Sequence, residues 1–175
     1  MQVFLPFADF DACARALDNR RLQKQALECL QLLLAMYDVP LDDGRPRTGH
    51  KSHPAYLAWK PYPLALIRYT LAICAECKSR GIKSDTILAR VTGLIPPGSD
   101  LEHAPAPPFL GDEAMHRSHR CRLLQKGKED AAKRRDDWYA QYGWSEADDP
   151  DLAQEGYLWP VYEDDECKRY RLERR

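Results

Sequence analysis

Residues 17–37 read LDNRRLQKQALECLQLLLAMY, and the two halves of this stretch ask for different surroundings. The front half, Asn19 to Gln25, holds Arg20, Arg21 and Lys24 and no carboxylate. The back half places Leu27, Leu30, Leu33, Leu34 and Tyr37 at helical spacing. The stretch therefore predicts a helix rooted in a core at its C-terminal end, with an anion-seeking face at its N-terminal end. A solvated helix face is the commoner meaning of such a charged run. A second basic stretch far along the chain, Met115 to Lys128, favours a binding role.

Outward from this helix, a chain of 175 residues with 30% charged residues has room for one domain with a real core. No apolar run is long enough to span a bilayer. The opening MQVFLPFADFDA lacks the basic n-region of a secretion signal. The six scattered cysteines read as reduced thiols, and Cys74-Ala-Glu-Cys77 as core packing, which fits a cytoplasmic protein. The net charge of −1 conceals an asymmetry. Residues 1–135 hold 21 Lys+Arg against 15 Asp+Glu, and residues 136–166 hold 11 acids and no base. The last nine residues carry five bases and one acid. A cationic body suits an anionic ligand, nucleic acid being the commonest large one. An acidic segment that neutralises the body internally is the competing explanation.

The pattern predicts an all-α fold, a single compact domain of three main helices at about 9–37, 54–80 and 111–137. Long irregular loops and an aromatic C-terminal segment complete it. Asp9 or Asp11 can cap the first helix, and Asp18-Asn19 can kink or restart it. Pro54 and Pro63 suit first helical turns, Gly81 suits a helix stop, and Ser84 can cap a short helix through Thr92. Residues 95–109 are a proline-rich loop, and the last helix can be interrupted at Gly127. No alternating strand is evident. The domain is expected to cover 1–162, with 163–175 a polar, frayed tail.

Arg and Lys on one helical turn suit phosphate oxygens, and Asn and Gln suit base edges. Asn19, Arg20, Arg21, Lys24 and Gln25 form one such set. The basic stretch adds His116 and His119 at i, i+3, with Arg117, Arg120 and Lys126 around them. His50 and His53 repeat the H-x-x-H spacing. No acid stands at ligand spacing beside either pair and arginines flank the later one, so no metal site is expected. Hydrogen bonding to phosphate or base is preferred, with half-buried, satisfied histidines as the plain alternative. An α-amino group as a class titrates near ~8 against ~10.4 for lysine, which makes a chain terminus a usable nucleophile near neutrality.

Several stretches together resemble the pyrimidine dimer DNA glycosylases of the phage endonuclease V type. LALIRYTLAICAECKSRGIKS looks like the family's second long helix and its exit. FLGDEAMHRSHRCRLLQK with DDWYAQYGW looks like its last helix and closing aromatic segment, and LDNRRLQKQ sits where the family has its arginine-bearing catalytic helix. Closer still are bacterial members that open MQ-x-F-LP and carry LDN-x-RL-x-KQ, a His-Pro, LGDE-x-x-H-x-SH-R and a late Trp-Pro. Here these are Met1-Gln2 with Phe4 to Pro6, Leu17 to Gln25, His53-Pro54, Leu110 to Arg120, and Trp159-Pro160.

The resemblance implies an enzyme that binds double-stranded DNA and flips a nucleotide out of the stack. It cuts the glycosidic bond through its N-terminal amine and nicks the strand by β-elimination, without metal or cofactor. It implies Met1 as nucleophile, retained because Gln2 is bulky. Gln23 or His119 would orient water or the sugar, with His116 beside them and Arg21 at the site. DNA would be held by Asn19, Arg20, Lys24, Gln25, His53, Arg117, Arg120 and Lys126, with the protein acting as a monomer. One departure stands out. The family's first helix carries a glutamate that stabilises the cationic intermediate, whereas the matching place here holds Arg21 or Gln23, and Glu28 lies one or more turns further on. That departure leaves open two other readings, a base-modifying transferase on the same scaffold and a non-catalytic nucleic-acid-binding module.

Overall fold

The computed structural model describes residues 1–47, 49–133, 135–136, 138–144 and 157–174. Among these, six α-helices and one two-stranded sheet form the fold. The helices are α1 (Phe10–Ala16), α2 (Asn19–Met36), α3 (Pro54–Trp59), α4 (Pro63–Ser79), α5 (Asp85–Thr92) and α6 (Glu113–Ala132). A 3-10 turn follows at Trp138–Tyr142. The mostly helical expectation holds, and two of the three long helices are each resolved into two pieces. The first breaks at Leu17-Asp18, both extended, where Asp18 accepts the Arg21 N–H at 3.0 Å and starts α2. The second breaks at the Pro61–Pro63 turn, with Pro63 opening α4. The third runs unbroken through Gly127.

Capping explains most boundaries. Asp9 accepts from Ala12 N–H at 2.6 Å, and Asp112 from Ala114 N–H at 3.0 Å. Gly81 takes φ +69°, while Ile82 N–H reaches back to the Cys77 carbonyl at 2.8 Å, the Schellman closure of α4. Ser84 departs from expectation: its hydroxyl turns to the Cys74 carbonyl at 3.5 Å and does not cap α5. The helix α4 is buried almost all round and packs against α1, α2 and α5. Five of the six cysteines are buried, Cys74 and Cys77 among them, and all six are free thiols.

Two expectations about the chain end are corrected. Strands β1 (Leu158–Tyr162) and β2 (Tyr170–Arg174) pair antiparallel, with Leu158 opposite Arg174 and Tyr162 opposite Tyr170. Residues 163–174 are thus not a frayed tail outside the domain. Three tyrosine hydroxyls fasten the hairpin: Tyr162 donates to Ala58 O at 2.6 Å, Tyr62 to Cys167 O at 2.8 Å, and Tyr170 to Asp112 Oδ2 at 2.7 Å. Six of the eleven acids within 136–166 fall outside the described residues.

Residues 2–6 run through the interior as a buried strand-like segment that joins no sheet among the described residues. Side chains supply the missing ladder, because buried peptide groups need partners. Glu28 Oε2 accepts Gln2 N–H at 2.9 Å. Gln25 donates to Gln2 O at 2.7 Å and accepts from Phe4 N–H at 2.9 Å. Tyr69 donates to Phe4 O at 2.6 Å, His119 Nδ1 accepts from Leu5 N–H at 2.8 Å, and His116 Nδ1 donates to Leu5 O at 2.7 Å. Arg120 closes the series on Pro6 O at 2.9 Å. The strand is therefore held by α2, α4 and α6 together. Replacing Gln25 with Leu strands one buried N–H and one buried carbonyl. It should cost about 2–6 kcal/mol, at ~1–3 kcal/mol for each unsatisfied group, read from urea unfolding midpoints at unchanged slope.

Candidate active site

The pinned strand delivers the chain terminus to the side of α2. The Met1 side chain is itself buried, and the amine lies 3.8 Å from Glu28 Oε1. Lys24, one turn before, brings its Nζ to 3.7 Å from the same oxygen. One carboxylate thus faces the amine, the next backbone N–H and a lysine. Around it opens a cavity of ≈280 Å³, lined by Met1, Glu28, Arg21, Lys24, Lys126 and Tyr157. Two larger clefts, ≈580 Å³ and ≈510 Å³, lie elsewhere. Neither contains the chain terminus: the first is lined by alanines with Asp9, Asp11, Glu102 and Arg68, and the second by prolines with an exposed Lys168–Glu166 pair. The chemistry therefore selects the smaller cavity.

Glu28 answers the departure noted in the sequence. Arg21 and Gln23 offer no carboxylate, whereas Glu28, the sole acid of α2, stands beside the amine. Its signal was present: Gln25 and Glu28 share the buried helical phase of Leu22, Ala26 and Cys29, where a polar pair needs buried partners. The position of the amine beside it was not local information.

Arg21 is fixed from two sides. It pairs with Asp18 and, at 2.8 Å, with Asp130, and its guanidinium stands 5.5 Å from the Tyr139 ring centroid. The Tyr139 hydroxyl donates to Asp18 at 2.8 Å. Asp130 also receives Arg20 at 3.1 Å and Arg135 at 3.2 Å. Arg21 thus faces the cavity from a rigid seat.

The other residues singled out in the sequence divide into two groups. Asn19, Arg20, Gln23, Lys24 and Arg117 are exposed, as a DNA contact requires. Gln23 does not line the cavity. Lys126 is half-buried in the cavity wall. Gln25, His116, His119 and Arg120 are buried and bond the N-terminal strand, with His116 Nε2 also on Gly111 N–H and Arg120 on Glu113, while the buried His119 Nε2 has no hydrogen-bond partner among the described residues. They offer little surface to a phosphate or base, and what the geometry shows for them is support of the N-terminal strand. Both rings are kept neutral. Burial pushes His119 down to about 3, and burial also lowers His116 against the opposing pull of the Leu5 carbonyl. His53 caps α3, taking Ala55 N–H on Nδ1 at 3.1 Å, and meets the Trp159 ring edge-on. Burial and the nearby charge of the Met1 amine lower its pKa.

Tyr157 also lines the cavity, with Arg122 against its ring, and neither was among the expected site residues. Tyr157 meets Phe4, His119 and Trp159 at ring edges, and the Arg122 guanidinium stands 5.6 Å from its centroid.

The described helices thus bring a buried chain terminus, a carboxylate and several cations to one cavity. Residues 1–89, just over half of the chain, match the family of pyrimidine dimer DNA glycosylases. The chain belongs to that family, whose substrate is DNA. Among characterised proteins and solved structures, none matches it. No described helix is long and apolar enough to cross a membrane.

Asp18 gives the site network a pH signature. Burial raises its pKa, but the Arg21 hydrogen bonds and charge outweigh burial, and the net shift is downward. A carboxylate with a depressed folded-state pKa contributes stability above its unfolded value, near ~3.9, that is lost as pH falls through the folded value. Asp18→Asn keeps the helix cap and removes the charge. It should lower stability by roughly 1.5–3 kcal/mol at pH 7 and flatten the Tm–pH curve below about pH 4. An unchanged acid limb would contradict the Asp18–Arg21 assignment.

Proposed function

We propose that the protein is a DNA glycosylase with AP-lyase activity, acting on a damaged pyrimidine flipped out of duplex DNA, with the Met1 α-amine as nucleophile. The observation that carries this is the Glu28 carboxylate, 3.8 Å from the amine and hydrogen-bonded to the neighbouring Gln2 N–H. The amine lone pair forms a bond to the sugar C1′ while the C1′–N1 bond breaks and its electron pair leaves with the pyrimidine, which takes up a proton. A proton then passes from the attached nitrogen to O4′ as the sugar ring opens, leaving an iminium. The Glu28 carboxylate lies where that positive charge develops and lowers its energy by proximity in a low-dielectric cavity. Loss of the C2′ proton and departure of the 3′ phosphate complete β-elimination. Arg20, Lys24, Asn19 and Arg117 supply the exposed contacts to the DNA backbone. The base-modifying alternative drew its support from a missing carboxylate, and Glu28 removes that support.

Glu28→Gln keeps an acceptor for Gln2 N–H and removes the charge. On a duplex carrying a pyrimidine dimer or an abasic site, it should slow cleavage by about a hundredfold or more while duplex binding persists. Borohydride should trap the wild-type protein on the N-terminal peptide. Duplex binding with no adduct and no strand cleavage by the wild-type protein would overturn the reading in favour of plain binding.

A further inference from the structure

Lys126 lines the same cavity as Met1 and Glu28, and among the described residues it is the one cation there with no acid partner at contact distance. Arg20 and Arg21 are tied to Asp18 and Asp130, and Lys24 to Glu28. The charged groups that face Lys126 are nearly all of its own sign: Arg122 on α6, and Arg21 and Lys24 on α2, against Glu129 on α6. The Met1 amine, Glu28 and the Tyr157 hydroxyl share the cavity. Half-buried among cations, this ammonium is lowered from the ordinary lysine range, first by burial and then by Arg122, Arg21 and Lys24. A lysine that releases its proton more readily than usual, beside a nucleophilic amine, suits proton transfer better than charge pairing.

Resting on the amine-nucleophile reading above, we propose that Lys126 is the proton carrier of this site, donating in the first half of the reaction and accepting in the second. As the Met1 amine bonds to C1′ and the C1′–N1 bond breaks, the Lys126 ammonium gives its proton to the departing pyrimidine anion and becomes a neutral amine. After ring opening, that amine takes the C2′ proton of the iminium. The freed electron pair passes through the enamine and expels the 3′ phosphate by C3′–O cleavage. Lys126 ends as the ammonium with which it began, and the proton count closes without an added co-reactant. The Glu28 carboxylate, engaged with Met1, Lys24 and Gln2 N–H, remains free to stay anionic throughout.

Lys126→Arg keeps the charge and abolishes proton exchange near neutrality, whereas Lys126→Met removes both. The test uses a duplex with a preformed abasic site, read for strand cleavage against pH and, separately, for borohydride trapping. Both variants should still form the Met1 adduct and both should cleave about a hundredfold more slowly. The pH limb of the wild-type cleavage rate due to Lys126 should be missing from both. Cleavage by Lys126→Arg at the wild-type rate would overturn the proposal, leaving Lys126 a phosphate-binding charge. A wild-type adduct mapped to Lys126 would overturn it by making this residue the nucleophile. Absence of any wild-type adduct would instead remove the amine-nucleophile reading itself, and the proposal with it.

Discussion

A buried extended strand inside a helical protein is the constraint from which the rest follows. Residues 2–6 have no neighbouring strand among the described residues, and their peptide groups are satisfied by Glu28, Gln25, Tyr69, His116, His119 and Arg120. Each partner stands on a helix, and the helices cannot shift without stranding buried polar groups at ~1–3 kcal/mol apiece. The strand in turn fixes where the chain begins. An N-terminus is ordinarily the loosest part of a chain; here its first side chain is buried and its amine meets a carboxylate. Placement of the terminal amine is thus a by-product of how the core is closed.

The electrostatics of the site have two layers. Acids within the fold hold Arg20 and Arg21, with Asp18 and Asp130 as the anchors. Nearer the cavity, cations outnumber acids, and burial first and their repulsion second lower the affinity of Lys126 for its proton. Concentrating like charge is unfavourable for the isolated protein, and an anionic ligand relieves it. A DNA strand satisfies that requirement through its phosphates. The neutral, buried histidines add no charge to this cluster, because burial suppresses their protonation.

Much of the helical frame was legible because its signals are local. Asp9, Asp18 and Asp112 announce helix starts through short side chains that reach their own backbone, and Gly81 announces a stop through a positive φ. The cationic front and apolar back of α2 also stand where the spacing placed them. The site was legible only in part. Arg21, Lys24 and Met1 were in view, but Glu28 was set aside because its partner lies 26 residues earlier in sequence, on a strand with no periodic signal. His116 and His119 resemble ligand-binding histidines in sequence, and only the docking of Leu5 between them reveals their task. The hairpin was hidden by Pro160 and by a charge-rich second strand. In Tyr170–Arg174, Tyr170 and Leu172 pack inward while Arg171 and Arg174 remain in water, too short an alternation to stand out from a polar tail.

The Met1 amine is where fold and chemistry meet, and blocking that single group tests their connection most directly. Protein acetylated only at the Met1 α-amine should bind a duplex carrying an abasic site and fail to cleave it, while the unmodified protein does both. Strand cleavage at the unmodified rate by the acetylated protein would contradict the assignment of the terminus as nucleophile and leave the Glu28 contact a purely structural one.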